Sequence, residues 1–133
     1  MKKIVLIPDS FKGTMSSIEV CSIMEKAILA HFPDCEVISI HVADGGEGTV
    51  DCFITALGGQ RVNAVVKGPY FQVMECAYGL LPDNTAIIEM AACAGLPLVG
   101  DEKHPEKTTT YGVGQLVKHA IHAGSKRIII GLG

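Results

Sequence analysis

The sequence predicts an α/β fold: a mostly parallel, Rossmann/flavodoxin-like sheet with helices on its faces and a mixed or antiparallel β patch in the middle. Three observations carry this reading. A buried-strand pattern is twice followed by a glycine-bearing loop and a helix pattern, over residues 4–32 and 36–57. Three strand patterns separated by short turns then fill residues 61–89, and the helix–strand rhythm returns over 110–130. Alternation of this kind marks layered α/β structure, and the short turns mark strands that pair antiparallel. Two parts are expected: residues 1–60, the first β–α units, and residues 61–133, mixed strands followed by a further α/β segment.

Each element has a local reason. Ile4-Val5-Leu6-Ile7 is an unbroken apolar run closed by Pro8, as in a strand buried on both faces. Ser16 and Glu19 stand in capping-box spacing, so each can satisfy a free N–H at a helix start. Val20, Met24, Ala27, Ile28 and His31 recur at three or four residues as one helix face, and Pro33 ends the helix. Glu36 to Val42 alternates as a second strand. Val50, Phe53, Ile54 and Leu57 form the face of a second helix that Gly58-Gly59 stops.

Further on, Arg61–Val66, Gln72–Leu80 and Thr85–Glu89 are strands divided by Gly68-Pro69 and Pro82-Asp83-Asn84. Met90–Ala94 is a short helix closed by Gly95, and Gly95–Lys107 is a surface loop. A last helix turns Leu116, Val117, Ala120 and Ile121 inward, and Gly124 caps it. Lys126–Ile130 is a fourth buried strand.

Composition narrows the function classes. With 48% hydrophobic and 19% charged residues the 133-residue chain can bury a core and is not of the disordered class. A net charge of -3 with no basic patch argues against nucleic acid as a partner. No apolar run approaches the ~20 residues of a membrane span, and the run after Lys2-Lys3 is too short for a secretory signal. Five cysteines without a C-x-x-C pair suit reduced, packed thiols in a cytoplasmic protein.

Two loops sit where α/β sheets bind ligands, just past a strand and before a helix. In the first, Asp9 can hold a cation or orient a hydroxyl, Lys12 can neutralise phosphate, and Gly13 lets backbone approach a ligand. Ser10 adds a hydroxyl. The plainer reading makes Asp9 a turn cap and Lys12 a solvated charge. In the second, Asp44-Gly45-Gly46-Glu47-Gly48-Thr49 places three glycines in four positions between two carboxylates. Glycines so dense serve special dihedrals or close contacts, and the carboxylates suit Mg²⁺. Its plainer reading is a tight turn in which Glu47 stabilises the first helical turn. Thr108, Thr109 and Thr110 can bind phosphate oxygens or cap a helix. Glu89, ending an apolar strand, faces a cleft or pairs with a lysine. His119 and His122 share a helix face without a third metal ligand, and His104 is a substrate-contact candidate. No Walker loop or complete G-x-G-x-x-G is present.

In order along the chain, Ile7-Pro8-Asp9-Ser10-Phe11-Lys12-Gly13-Thr14, Val42-Ala43-Asp44-Gly45-Gly46-Glu47-Gly48-Thr49, Glu89-Met90-Ala91-Ala92 with Gly95-Leu96, and Thr108-Thr109-Thr110-Tyr111-Gly112 with Gly114 resemble the glycerate kinase family. The type is the glycerate 2-kinase of bacterial sugar-acid metabolism. Departures are mild: Met15-Ser16-Ser17 replaces a common Leu-Ser-Ala, and His104-Pro105 a usual Asn-Pro. The resemblance implies a larger two-domain α/β kinase with its site between domains. It implies ATP with Mg²⁺, D-glycerate as acceptor and 2-phosphoglycerate as product. It points to Asp9, Lys12 and Asp44 as catalytic residues. Ser10, Gly13, Gly45, Gly46, Glu47, Gly48, Thr49, Glu89, Thr108, Thr109 and Thr110 would bind substrate or phosphate. Family members run to several hundred residues, so the chain is expected to be an N-terminal portion, inactive alone and inclined to self-associate. A non-catalytic binding domain for a small anionic metabolite or nucleotide is the alternative.

Overall fold

A computed structural model describes residues 2–11, 13–101 and 104–133. The chain forms two compact units, Met1–Asp44 and Gly45–Gly133.

In the first unit β1 (Lys3–Leu6) and β2 (Glu36–Ser39) pair in parallel, Lys3 opposite Glu36 and Leu6 opposite Ser39. A parallel pair needs a crossover, which α1 (Ser17–His31) supplies. The expected capping box forms: Ser16 Oγ accepts the Glu19 N–H, and Glu19 Oε2 accepts the Ser16 N–H at 2.8 Å. The chain leaves the helix at Phe32, before Pro33.

Two expectations for this unit fail. The predicted α1 face (Val20, Met24, Ala27, Ile28, His31) is only partly inward: Ser17, Val20 and Cys21 are buried, whereas Met24, Ala27 and His31 are exposed. Nor is β1 buried on both sides, since Val5, Ile7, Ile38 and Ile40 all stay exposed. Both follow from one cause. A single helix covers one face of a two-stranded ladder, so the stripe facing beyond it has nothing to pack on.

The second unit is a four-stranded sheet in the order β3-β4-β5-β6, from β3 (Gln60–Lys67), β4 (Val73–Leu80), β5 (Thr85–Glu89) and β6 (Arg127–Gly131). The first two junctions are antiparallel and the last is parallel. The expected antiparallel patch and the returning parallel strand are thus one continuous mixed sheet. On one face α2 (Thr49–Leu57) packs Val50, Phe53 and Ile54 over Ile87 and Leu81. On the other, α3 (Ala91–Ala94) and α4 (Tyr111–His122) cover Ala64, Val66, Tyr78, Ala86 and Ile88 with Cys93, Leu116 and Ala120. Every residue of β5 is therefore buried, which is why its sequence is apolar without alternation.

Here too two predictions are corrected. β6 lies at the sheet edge rather than in the core, with Ile129 and Ile130 exposed. In α4, Ile121 is exposed and Val117 half-buried, while Gly112 and Val113 join the core instead. The expected loop after Gly95 contains two short 3-10 turns, Leu96–Val99 and Pro105–Lys107.

Candidate functional site

The first loop leaves β1 at its C-terminal end. Asp9 is exposed, and its Oδ1 accepts the N–H of Ser10 at 2.7 Å. Phe11 and Met15 close a tight turn, with Thr14 N–H and Met15 N–H both reaching the Phe11 carbonyl. Gly13 takes φ 74 there, with no other atoms crowding the side-chain position. Lys12 lies outside the described residues. Behind the turn, buried Ser17 donates its hydroxyl to the Pro8 carbonyl at 2.7 Å and accepts the Val42 N–H at 3.4 Å. One side chain thus braces the stretch before Asp9 against the stretch before Asp44, which is itself exposed.

The second loop is held differently. Gly48 is the N-cap of α2 in the left-handed region, φ 90, and offers no side chain to the free amides of the first turn. Thr49 is buried, and its hydroxyl turns back to the Gly46 carbonyl at 2.8 Å. The acceptor for the α2 amides comes from 39 residues away: Glu89 Oε1 takes the N–H of Val50. Glu89 is only 7% exposed, at the end of β5. Burial pushes its carboxyl above the ordinary glutamate value of 4.5, while the Val50 and Gly48 backbone groups pull the other way.

Under this loop passes the end of β6. A side chain at Gly131 would collide with the carbonyl of Gly45, and Gly45 itself, φ 100, lies on the backbone of Leu132 and Gly133. The Met90 N–H closes the cluster on the Gly131 carbonyl at 2.9 Å. Gly45, Gly46, Thr49 and Glu89 are thereby brought together with Gly131, while Glu47 points outward as an exposed carboxylate.

The threonines occupy a third place. Thr109 N–H donates to the Pro69 carbonyl at 2.9 Å, docking the segment on the β3–β4 hairpin turn. Gly112 permits this, because a side chain there would strike the Lys67 carbonyl. Thr109 Oγ1 accepts the Tyr111 N–H at 3.1 Å, whereas Thr110, the N-cap residue of α4, makes no side-chain cap. Thr108 Oγ1 donates to the Pro105 carbonyl.

Among the described residues no group of three or more His, Cys, Asp or Glu is arranged to hold a metal, and no helix is long and apolar enough to cross a membrane. His119 meets the buried Tyr78 hydroxyl at 3.3 Å, and His104 meets Glu106 at 3.2 Å. Four of the five cysteines are buried.

Sequence reasoning did not single out Ser17, Gly131 or Gly133. Ser17 looked like an ordinary first-turn residue, and the glycines looked like the end of a strand. The Gly131-Leu132-Gly133 spacing was the available signal for a close backbone approach.

A family model described as the glycerate kinase family matches residues 4–133, nearly the whole chain. The chain belongs to the glycerate kinase family. It is 45% identical to a glycerate 2-kinase of Escherichia coli K12 and 42% identical to a glycerate kinase of Bacillus subtilis 168, in each case over 98% of its own length. It spans about 35% of the length of these relatives. A crystal structure of a protein assigned as glycerate kinase 2 from Salmonella typhimurium LT2 superposes with a TM-score of 0.77 at 42% identity, over 99% of this chain and 36% of that one.

Proposed function

We propose that this chain forms part of an enzyme that moves the γ-phosphoryl group of ATP onto D-glycerate, giving 2-phosphoglycerate and ADP. The observation that carries the proposal is a pair of loops, each following strand β1 or β2 and preceding a helix, within a family match spanning residues 4–133. Phosphoryl transfer asks a protein mainly to align the two substrates and offset developing charge. In the first unit, the exposed Asp9 and Asp44 carboxylates sit on the two segments that Ser17 braces together, suited to orient the glycerate hydroxyl. Lys12 would meet phosphate charge, with Ser10 and the Gly13 backbone beside it in sequence. In the second unit, the loop of Gly45, Gly46, Glu47, Gly48 and Thr49 would set the substrate's position through its fixed backbone, and Thr108–Thr110 offer further hydroxyls.

Magnesium arriving with ATP fits the donor set, since Mg²⁺ is held by one or two carboxylates together with phosphate oxygens and waters. Asp9 and Asp44 are the residues that would hold it. When bound it neutralises phosphate charge.

By this proposal the enzyme is cytoplasmic, and residues 1–133 alone bind too little of the substrates to turn over. The exposed Val5, Ile7, Ile38 and Ile40, with the open edge of β6, favour self-association of the isolated chain. The test is phosphorus NMR of D-glycerate and Mg·ATP with the chain alone and with the chain joined to the remaining two thirds of a relative. The joined protein should make 2-phosphoglycerate and ADP, and Lys12→Met should cut turnover at least about a hundredfold. Folded protein that binds D-glycerate but leaves ATP intact would favour the non-catalytic binding domain instead.

A further inference from the structure

We infer that Glu89 is the resident anion of the α2 N-terminus: a positioning residue that fixes the Gly45–Thr49 loop and keeps substrate phosphate off those amides. This rests on the reading of that loop as part of a phosphoryl-transfer site. It also gives Glu89 a role different from the direct phosphate contact expected of it.

The argument begins with supply and demand for hydrogen bonds. The first turn of α2 exposes free N–H groups and the positive end of the helix dipole, which attract an anion. Neither local candidate answers. Gly48 has no side chain, and Thr49 spends its hydroxyl on the Gly46 carbonyl. Glu89 does answer, from the end of a neighbouring strand, and its carboxylate is buried while accepting the Val50 N–H. The backbone around it is tied on both sides. Glu89 is in register with Gly131, the Met90 N–H bonds the Gly131 carbonyl, and Gly45 rests on the Gly131–Gly133 backbone. Glu89 therefore sits where α2, β5, β6 and the glycine loop meet.

A phosphate entering that place would compete for an amide already taken and would stand beside a buried carboxylate. Exposed Glu47 adds a second negative charge to the same loop. The loop supplies shape, and the donors for phosphate lie in the other two segments, Asp9–Thr14 and Thr108–Thr110.

The test is amide NMR of the unaltered 133-residue chain titrated with inorganic phosphate. The Gly48, Thr49 and Val50 amides should stay unmoved. A saturable shift of the Val50 amide would overturn the inference. Glu89→Gln keeps an acceptor but removes the charge, so the Val50 amide should stay bonded while phosphate now shifts Gly48–Val50. Glu89→Ala should speed Val50 amide exchange about tenfold or more, and unchanged exchange there would also count against the role. Should the alanine variant not fold, the unaltered chain and the glutamine variant still decide. Failure of ATP turnover in the joined protein would sink the kinase reading while leaving this contact intact, so the two are separable.

Discussion

The two glycine-bearing loops look alike in sequence and are built on opposite principles. The loop at Asp9–Thr14 is a local turn: its bonds run from Phe11 to Thr14 and Met15, and Gly13 has open space around it. The loop at Gly45–Thr49 is a junction, pinned by Glu89 from one strand and by Gly131 from another. In the first, glycine supplies a backbone angle. In the second, it supplies room. A local turn can flex without disturbing its unit's core, whereas a junction moves only with the sheet end beneath it. The pairing suits a site in which one loop adapts to substrate and the other fixes a frame.

The strongest way to break this contrast is Gly131→Ala. Its methyl group would collide with the Gly45 backbone, so either the loop or the end of β6 must shift. Overpacking of this kind costs about 3 kcal/mol, near the upper end of its usual range. Urea unfolding should show that loss, and amide shifts should change at Gly45–Val50 and Gly131–Gly133 while those of Asp9–Thr14 stay put. Full stability, or disturbance of both loops alike, would mean the second loop is not the rigid junction described.

A smaller effect sharpens the role of Glu89. Its carboxyl is held above the ordinary 4.5 mainly by burial. The folded protein therefore holds that proton more readily than the unfolded chain does. The resulting stabilisation is complete below 4.5 and is lost as pH rises through the folded value. Glu89→Gln cannot ionise, so its stability relative to the unaltered chain should improve as pH rises from about 4 towards 7. Urea midpoints across that range measure it. Parallel profiles for the two proteins would show that Glu89 does not titrate in its buried place.

Much of this was legible in the sequence, because it is local. The capping box of Ser16 and Glu19, the turn at Pro82-Asp83-Asn84 and the unbroken run of β5 each follow from neighbouring residues. What escaped depended on partners distant in sequence. Nothing near Glu89 says that its acceptor will serve Val50, and nothing near Gly131 says that Gly45 will lie against it. The periodicity of α1 defines a stripe but not how many strands lie beneath it, so Met24 and His31 were assigned inward and are exposed. An Ile-rich run such as β6 reads the same at a sheet edge as in its centre. The Ser17 brace, too, needs the spatial meeting of Pro8 and Val42, 34 residues apart in the chain.

The mildest change tests the local loop. Gly13 has φ 74 and nothing near its side-chain position, so Gly13→Ala meets no atom and pays only for the left-handed backbone. That cost is about 1 kcal/mol, and Gly13→Asn should cost less, because asparagine enters this region more readily. The loss should appear as a small fall in the urea midpoint with an unchanged slope, and amide shifts should move only around Phe11–Met15. A loss as large as that of Gly131→Ala would show that the first loop is also packed against something. The distinction between glycine as angle and glycine as room would then fail at its simpler end.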